Sequence, residues 1–522
     1  MQALRKTPSL VFLLLAILIG GTIRMAQVLR LDYPINDGGL FYTMTLELQA
    51  NDYHLPETSA YNRLGIPYAY PPLGFYLAGL LADLTGWSLL DIFRLLPAIL
   101  SVLTIPAFYL LARDLTGSET TLSLAVLIFA LLPATFDWPI MGGGITRAPG
   151  LLFSMLTLFG IYRLYTRQGF RYVFWTSVLA AATVLSHPED ALHTAASALV
   201  LWWFFGRNKT RVWKSLAVAG LTLLLTSPWW VSVLAAHGIS PFLTAASTGW
   251  HSTEAAFSFL GFNLTNETGL QTMGVLALIG LFISLAQRKF FLPIWMLVIF
   301  ISEPRSAPLF MTPALALLGA LALEEIQFLL ARLEGRKIPP GEMQAFAGII
   351  SKIFLAILLV QWILSSFTLT LIESATLTLT KPDTQAFTWV RGNTPLNSRF
   401  LVLTGQQPVT DPVSEWFPAL TGRISVATEQ GHEWDNSRNF AEIHILSAQV
   451  QHCYYRGEQC LASWLEDGGE SFEYIYIRKL QVTSSYRLEV VDNALLDTLL
   501  ASSRYKLAYD TPEISILHLV GK

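Results

Sequence analysis

Eleven apolar stretches, drawn as membrane spans, sort the charges of this chain to opposite sides. That sorting constrains its fold more than any motif does. The stretches cover about residues 8–29, 91–112, 119–137, 148–164, 172–186, 190–206, 212–235, 269–287, 290–302, 308–330 and 346–374. A helix needs roughly 20 apolar residues to cross a bilayer. The stretches at 172–186 and 290–302 are short, and read either as shortened helices lining a cavity or as spans whose ends lie elsewhere. With the N-terminus inside, the short connections on that side hold Arg5, Lys6, Arg113, Arg163, Arg167, Arg171, Arg207, Lys209, Arg211, Lys214, Arg288, Lys289, Arg332, Arg336 and Lys337. This is the positive-inside pattern. The other side takes nearly all the acidic and His residues of the loops, with Arg30, Arg63, Arg94, Arg147 and Arg305 but no lysine. Guanidinium forks beside carboxylates and imidazoles suit an anionic, phosphate-bearing substrate.

Composition agrees with the class. The chain is 53% hydrophobic and 14% charged, where ordinary soluble domains carry roughly 25% charge. A net charge of −3 gives no reason to expect nucleic acid as a partner. Arg5 and Lys6 before an apolar run resemble a signal peptide, but Pro8 to Leu29 is long enough to span and shows no clear small-residue cleavage site, so a retained first helix is expected. The expected fold is a polytopic α-helical membrane protein of about 11 transmembrane helices, residues 1–376, followed by a C-terminal α/β extracytoplasmic domain, residues 377–522. The expected location is the plasma membrane, multi-pass, with a cytoplasmic N-terminus.

Residues 30–90 form one long outer loop, rich in aromatic side chains. Long ordered loops are usually functional. Within it, Tyr70 to Leu84 is apolar but too short to span, and opens with Pro71-Pro72, which suits the first turn of a helix. Counting it as a span would move every later basic loop outside, so it reads as an interfacial helix. After Lys381, Arg399–Thr404, Phe472–Ile477, Tyr505–Tyr509 and Ile514–Leu519 read as strands, and Asn439–Val450 and Ala494–Leu500 as helices. Cys453 and Cys460 fall in this outer region, where a disulfide is permitted and two free thiols are equally open. No internal repeat is visible.

Asp37 lies in Tyr33-Pro-Ile-Asn-Asp-Gly-Gly39, just past the first span. A carboxylate there can take a proton from an acceptor hydroxyl, hold a divalent cation, or simply form an Asn-Asp-Gly turn. Arg147, after Gly142-Gly-Gly-Ile-Thr, and Arg305, after Glu303-Pro, sit at the outer mouths of spans, at the depth of a lipid phosphate. Each can bind that phosphate, snorkel, or pair with a local carboxylate such as Asp137 or Glu303. His187, Glu189 and Asp190 crowd one short outer turn, with His193 a helical turn later. His251 and Glu254, with Trp250, stand in the loop 236–268. These residues fit either a divalent cation (Mg or Mn), sugar hydroxyls, or, for Glu189 and Asp190, capping of a helix N-terminus.

Together these features resemble the GT-C superfamily of integral membrane glycosyltransferases, which includes protein O-mannosyltransferases and aminoarabinose transferases. The resemblance rests on the first span, the long outer loop with its early acidic residue, the Tyr-Pro-Pro-Leu helix, the span ending in Ala-Arg-Asp-Leu-Thr-Gly117, and the late Pro304-Arg-Ser-Ala-Pro-Leu-Phe-Met-Thr-Pro313 segment. It implies a sugar carried on polyprenyl phosphate, transfer on the outer face, inversion at the anomeric carbon, and Asp37 as the base. It also implies membrane lipid as a partner and leaves the acceptor open. Gly38 follows Asp37 where many members have a second acid, which weakens a metal site there. The Trp-Trp-Asp-Tyr-Gly signature of oligosaccharyltransferases is absent, which argues against N-linked oligosaccharide transfer. Trp389-Val-Arg-Gly-Asn-Thr-Pro395 and Ser414-Glu-Trp-Phe-Pro-Ala-Leu-Thr-Gly-Arg423 are similar to segments in outer domains of large prokaryotic members. The competing readings are a lipid or glycan transporter, which would put its charges at mid-membrane, and a non-catalytic scaffold of the same fold.

Overall fold

The computed structural model describes residues 8–167, 169–247, 257, 259–335, 348–434, 439–483 and 486–520. Helices dominate as far as Thr376. Six runs are long and apolar enough to cross a membrane: Ser9–Leu29, Leu89–Leu115, Gly144–Thr166, Lys209–His237, Ala307–Leu333 and the run that begins at Ile349. The other expected spans form shorter helices, Glu119–Leu131, Arg171–Ser186, Pro188–Phe205, Thr272–Ala286 and Phe291–Ser302. Glu119–Leu131 stops early because Pro133, with no amide hydrogen to donate, opens a separate 3₁₀ turn at Pro133–Thr135.

Gly144–Thr166 and Ala307–Leu333 are the inner helices, with 72% of their most apolar window buried, against 17% for Lys209–His237. Leu89–Leu115 packs on Gly144–Thr166, which packs on Arg171–Ser186, while Thr272–Ala286 packs on Ala307–Leu333. Gly280 permits the last contact: a Cβ there would lie 1.9 Å from the Leu318 carbonyl oxygen. Small residues let membrane helices approach this closely. Arg24, unremarked in the sequence because it hides inside the first apolar stretch, is fully buried. It donates to the carbonyls of Gly20 and Ala130, to Ser101 Oγ and to Thr135 Oγ1, and lies 4.4 Å from the Phe136 ring centroid. A charge at this depth persists only where its donors are taken, and here it ties the first helix to two others.

The outer segment 30–90 is ordered by two helices. Leu73–Thr85 starts after Pro72 and ends at Gly86, whose φ of +71° is left-handed. It buries Gly74, Phe75, Ala78 and Gly79 and leaves Leu84 exposed. Gly39–Ala50 is a second helix, to which the sequence reading assigns none.

Beyond Lys381 the chain forms a five-stranded mixed sheet in the order Ile424–Ser425, Arg399–Leu403, Tyr474–Arg478, Ile514–Leu519, Tyr505–Asp510. The first three strands are parallel and the other pairings antiparallel. Alternation along a strand sends successive side chains to opposite faces. Phe400 and Val402 join a core with Leu40, Met44, Phe75, Trp416 and Phe417. Leu401 and Leu403 join Val450, Trp464 and Leu495 on the other face. The outer segment and the C-terminal region therefore share one core. Cys453 and Cys460 form a disulfide. Asp383 and Arg478, both fully buried, pair at 2.9 Å and join the helix Lys381–Asn393 to the sheet.

Candidate functional site

The Asp37 loop is held from three sides. Gly142 N–H donates to the Ile35 carbonyl at 2.8 Å, and Asn36 N–H to the Leu377 carbonyl at 2.7 Å. Trp416 Nε1–H donates to the Asn36 carbonyl at 2.9 Å. Gly38, at φ +120°, takes a conformation that L side chains rarely adopt. Gly142 has no room for a side chain, since a Cβ would lie 2.0 Å from the Asp37 carbonyl oxygen. The Gly142–Gly143 pair lets the backbone approach the Asp37 loop closely.

In this setting Asp37 Oδ1 accepts the Gly143 N–H at 2.9 Å and Asp37 Oδ2 accepts from Arg147 Nη2 at 2.6 Å. The pairing of Arg147 with Asp137 or Glu303, open from the sequence, is not the one formed. Asp137 accepts from Asn266 and from the Trp138 amide, and Glu303 from the Ser306 and Arg305 amides. Arg147 is held flat by Trp138, 4.3 Å from its ring centroid. Its Nε is buried without a hydrogen-bond partner among the described residues, an unused donor in a site where such donors are normally satisfied.

Arg305 and Glu189 form a second pair at 2.5 Å. The Arg305 side chain is 54% exposed and Arg147 only 7%, so Arg147 is the deep cation and Arg305 the one at the rim. His187 Nδ1 lies 3.1 Å from Asp190 Oδ2. Asp190 fits against Gly150, where a Cβ would meet its carboxylate at 2.6 Å. His193 Nε2 and Ser306 Oγ are 2.9 Å apart. Tyr70 links the two halves: its hydroxyl is 3.5 Å from Thr146 Oγ1, and its ring contacts His187 and Trp434. His251 and Glu254 lie outside the described residues.

The C-terminal region supplies acids that sequence reasoning missed. Glu415 Oε1 accepts the amides of Gly38 at 2.7 Å and Gly39 at 2.9 Å. Burial first, then the neighbouring Asp37 carboxylate, raise the Glu415 carboxyl to about 8, against the pull of the Gly38 amide. Burial likewise raises Glu433 to about 7, with Glu429 adding to the rise and Arg305 opposing it. The available signal was an acid inside a short apolar helix, Pro412–Thr421.

Among the described residues no group of three or more His, Cys, Asp and Glu side chains is arranged to hold a metal ion. Asp37 and Glu189 each already face a guanidinium group.

A family model described as dolichyl-phosphate-mannose-protein mannosyltransferase matches residues 69–231. A protein of Aquifex aeolicus (strain VF5), described only as uncharacterized, is 28% identical over 166 residues; the match spans 31% of this chain and 32% of that protein's length. Among solved structures, the archaeal oligosaccharyltransferase AglB from Archaeoglobus fulgidus, in complex with an inhibitory peptide and a dolichol-phosphate, is similar at a TM-score of 0.56 and 14% identity, over 91% of this chain and 70% of that one. ArnT from Cupriavidus metallidurans bound to undecaprenyl phosphate is similar at 0.52 and 15% identity, over 97% of each chain. The arabinofuranosyltransferase AftD from Mycobacteria is similar at 0.57 and 17% identity, over 98% of this chain and 40% of that one. Over residues 69–231 the chain matches that family model in sequence, and over nearly its whole length it shares the fold of these solved structures.

Proposed function

We propose that this chain is a multi-pass membrane glycosyltransferase. It moves a sugar from a polyprenyl-phosphate donor to an acceptor hydroxyl on the extracytoplasmic face, with inversion, and Asp37 is its base. The observation that carries this reading is the part-buried Asp37–Arg147 pair at 2.6 Å, with the unpartnered Arg147 Nε beside it. The acceptor oxygen attacks the anomeric carbon, the bond from that carbon to the donor phosphate oxygen breaks, and the hydroxyl proton passes to Asp37. Negative charge then collects on the departing polyprenyl phosphate, and fixed cations aimed at it are the main catalytic need. Arg147 from the inner side and Arg305 from the rim supply them.

Arg147 has two anionic claimants, Asp37 and the donor phosphate. Phosphate binding draws the guanidinium group from Asp37 and leaves that carboxylate to take the acceptor proton. Donor binding thereby prepares the base. Glu189, the most exposed of the three acids and imidazoles of this turn, serves sugar hydroxyls, with His187 and Asp190 buried behind it. Support for a lipid-phosphate donor comes from AglB and ArnT, whose similar structures are described with dolichol-phosphate and undecaprenyl phosphate.

The same reading keeps about eleven transmembrane helices, a cytoplasmic N-terminus, an outer domain over 377–522 and a plasma-membrane location. Its support is the basic connections sorted to one side, and the packing of Glu415 and Trp416 on the Asp37 loop, which puts that domain and the site on one face. The test is a panel of labelled polyprenyl-phosphate sugars offered to the purified protein in proteoliposomes with hydroxyl acceptors. Transfer from one donor supports the reading. Donor binding without transfer favours a scaffold, and movement of the lipid-linked sugar across the bilayer favours a transporter.

A further inference from the structure

A cleft opens between the segment 30–90 and the C-terminal region. It has a volume of about 600 Å³ and its lining includes Thr43, Thr58, Ser59, Arg63 and Arg423, with no carboxylate residue. Arg423 is 5% exposed. Its guanidinium donates only to neutral oxygens: Thr394 Oγ1 and the carbonyls of Thr421, Arg391 and Thr394. Burial, then the like charges of Arg391 and Arg63, weaken its hold on its proton. Among the described residues the ion pairs include none of these three arginines. Arg63 and Arg423 line the same cleft with no carboxylate to pair with, and an oxyanion supplies the missing counter-charge.

The backbone spends strain to build this wall. Asn62 and Arg63 sit at φ +50° and +57°, in the left-handed region. They are held there by Asn62, whose side-chain amide donates to the Ser425 carbonyl at 2.9 Å and accepts its N–H at 2.7 Å. Strained backbone that its surroundings over-determine clusters at binding sites. The Arg63 side chain donates to Asn397 and is otherwise exposed.

The cleft is built from the elements that hold the base. Thr43 lies on the helix that starts two residues after Asp37, and Pro418 and Ala419 lie on the helix that carries Glu415. Tyr61, also in the lining, donates its hydroxyl to the Glu415 carbonyl at 2.7 Å. We infer that this cleft binds an oxyanion, a phosphate or a carboxylate, carried by the acceptor. The acceptor assignment rests on the transferase reading above, whereas oxyanion binding is read without turnover and stands or falls separately.

The test is titration calorimetry on the full chain in detergent, with inorganic pyrophosphate and with citrate as probes. Saturable binding of either probe is expected, and the tighter one identifies the group. Arg63→Glu should weaken it by about tenfold or more, and Arg63→Lys by no more than about threefold, because the charge is kept while the fork is lost. Arg305→Ala, in the other site, should leave it unchanged. Equal affinity in wild type and Arg63→Glu, no saturable binding to wild type, or loss in Arg305→Ala alone would each overturn the inference.

Discussion

Glu415 accepts the Gly38 amide at 2.7 Å across 377 positions of sequence, so a buried acid of the C-terminal region fixes the loop that carries Asp37. The long apolar helices and the C-terminal region meet at the proposed base. An Asp37 side chain on a loop fixed from one side only would be free to swing away from Arg147. Here both neighbours of the loop, Glu415 and Gly142, bond to its backbone.

Glu415→Gln should keep the loop, because the amide oxygen still accepts both glycine N–H groups. Glu415→Ala should release it, at a cost of about 1–3 kcal/mol for each buried donor left unpaired. The two also differ with pH. The raised Glu415 carboxyl contributes stability that is fully present below its unfolded value of 4.5 and is lost as pH rises through about 8. Melting curves in detergent from pH 5 to 9 should therefore show a decline in wild type that Glu415→Gln flattens.

Gly142→Ala should disable the site without unfolding the protein. Its Cβ would need the space of the Asp37 carbonyl, at 2.0 Å, so the loop must shift. A displacement of roughly 1 Å costs about 100-fold in rate. Sugar transfer should fall by that factor, while the melting temperature moves little.

Arg305→Ala should weaken donor binding and spare the Asp37–Arg147 pair. Loss of one charge-assisted phosphate contact corresponds to about a tenfold or greater rise in the donor's apparent Kd. Titration with a polyprenyl phosphate checks this directly. Unchanged affinity would remove Arg305 from the donor site.

Asp383→Ala should damage the outer domain alone. It leaves Arg478 buried and unpaired, which costs about 3–5 kcal/mol, and removes the acid of the Thr380–Asp383 capping box. A lower melting temperature with early proteolysis after Lys381 is the expected result.

Much of this was legible in the sequence because long patterns carry it. Hydrophobic runs marked the long apolar helices, short runs rich in β-branched and other apolar residues marked Arg399–Leu403 and Ile514–Leu519, and Pro71-Pro72 marked the start of the Leu73–Thr85 helix. The strands Ile424–Ser425 and Leu488–Val490 were too short to show a pattern. Asp37, Arg147, Glu189 and Arg305 were each visible as polar residues at the mouths of apolar runs. Their pairing was not, since 110 positions separate Asp37 from Arg147 and 116 separate Glu189 from Arg305. Arg24 escaped because one charge does not break a long apolar run. Glu415 escaped because its role depends on a loop folded from the opposite end of the chain.

The most direct measurement is single-turnover sugar transfer by wild type and Asp37→Asn, with donor binding measured on the same preparations. Removing a general base costs about 10²–10⁴-fold in rate. The account predicts a loss of that size in Asp37→Asn with donor affinity kept or improved, because Arg147 no longer has a carboxylate competing for it. Equal turnover in the two proteins would contradict Asp37 as the base, and with it the role assigned to the Asp37–Arg147 pair.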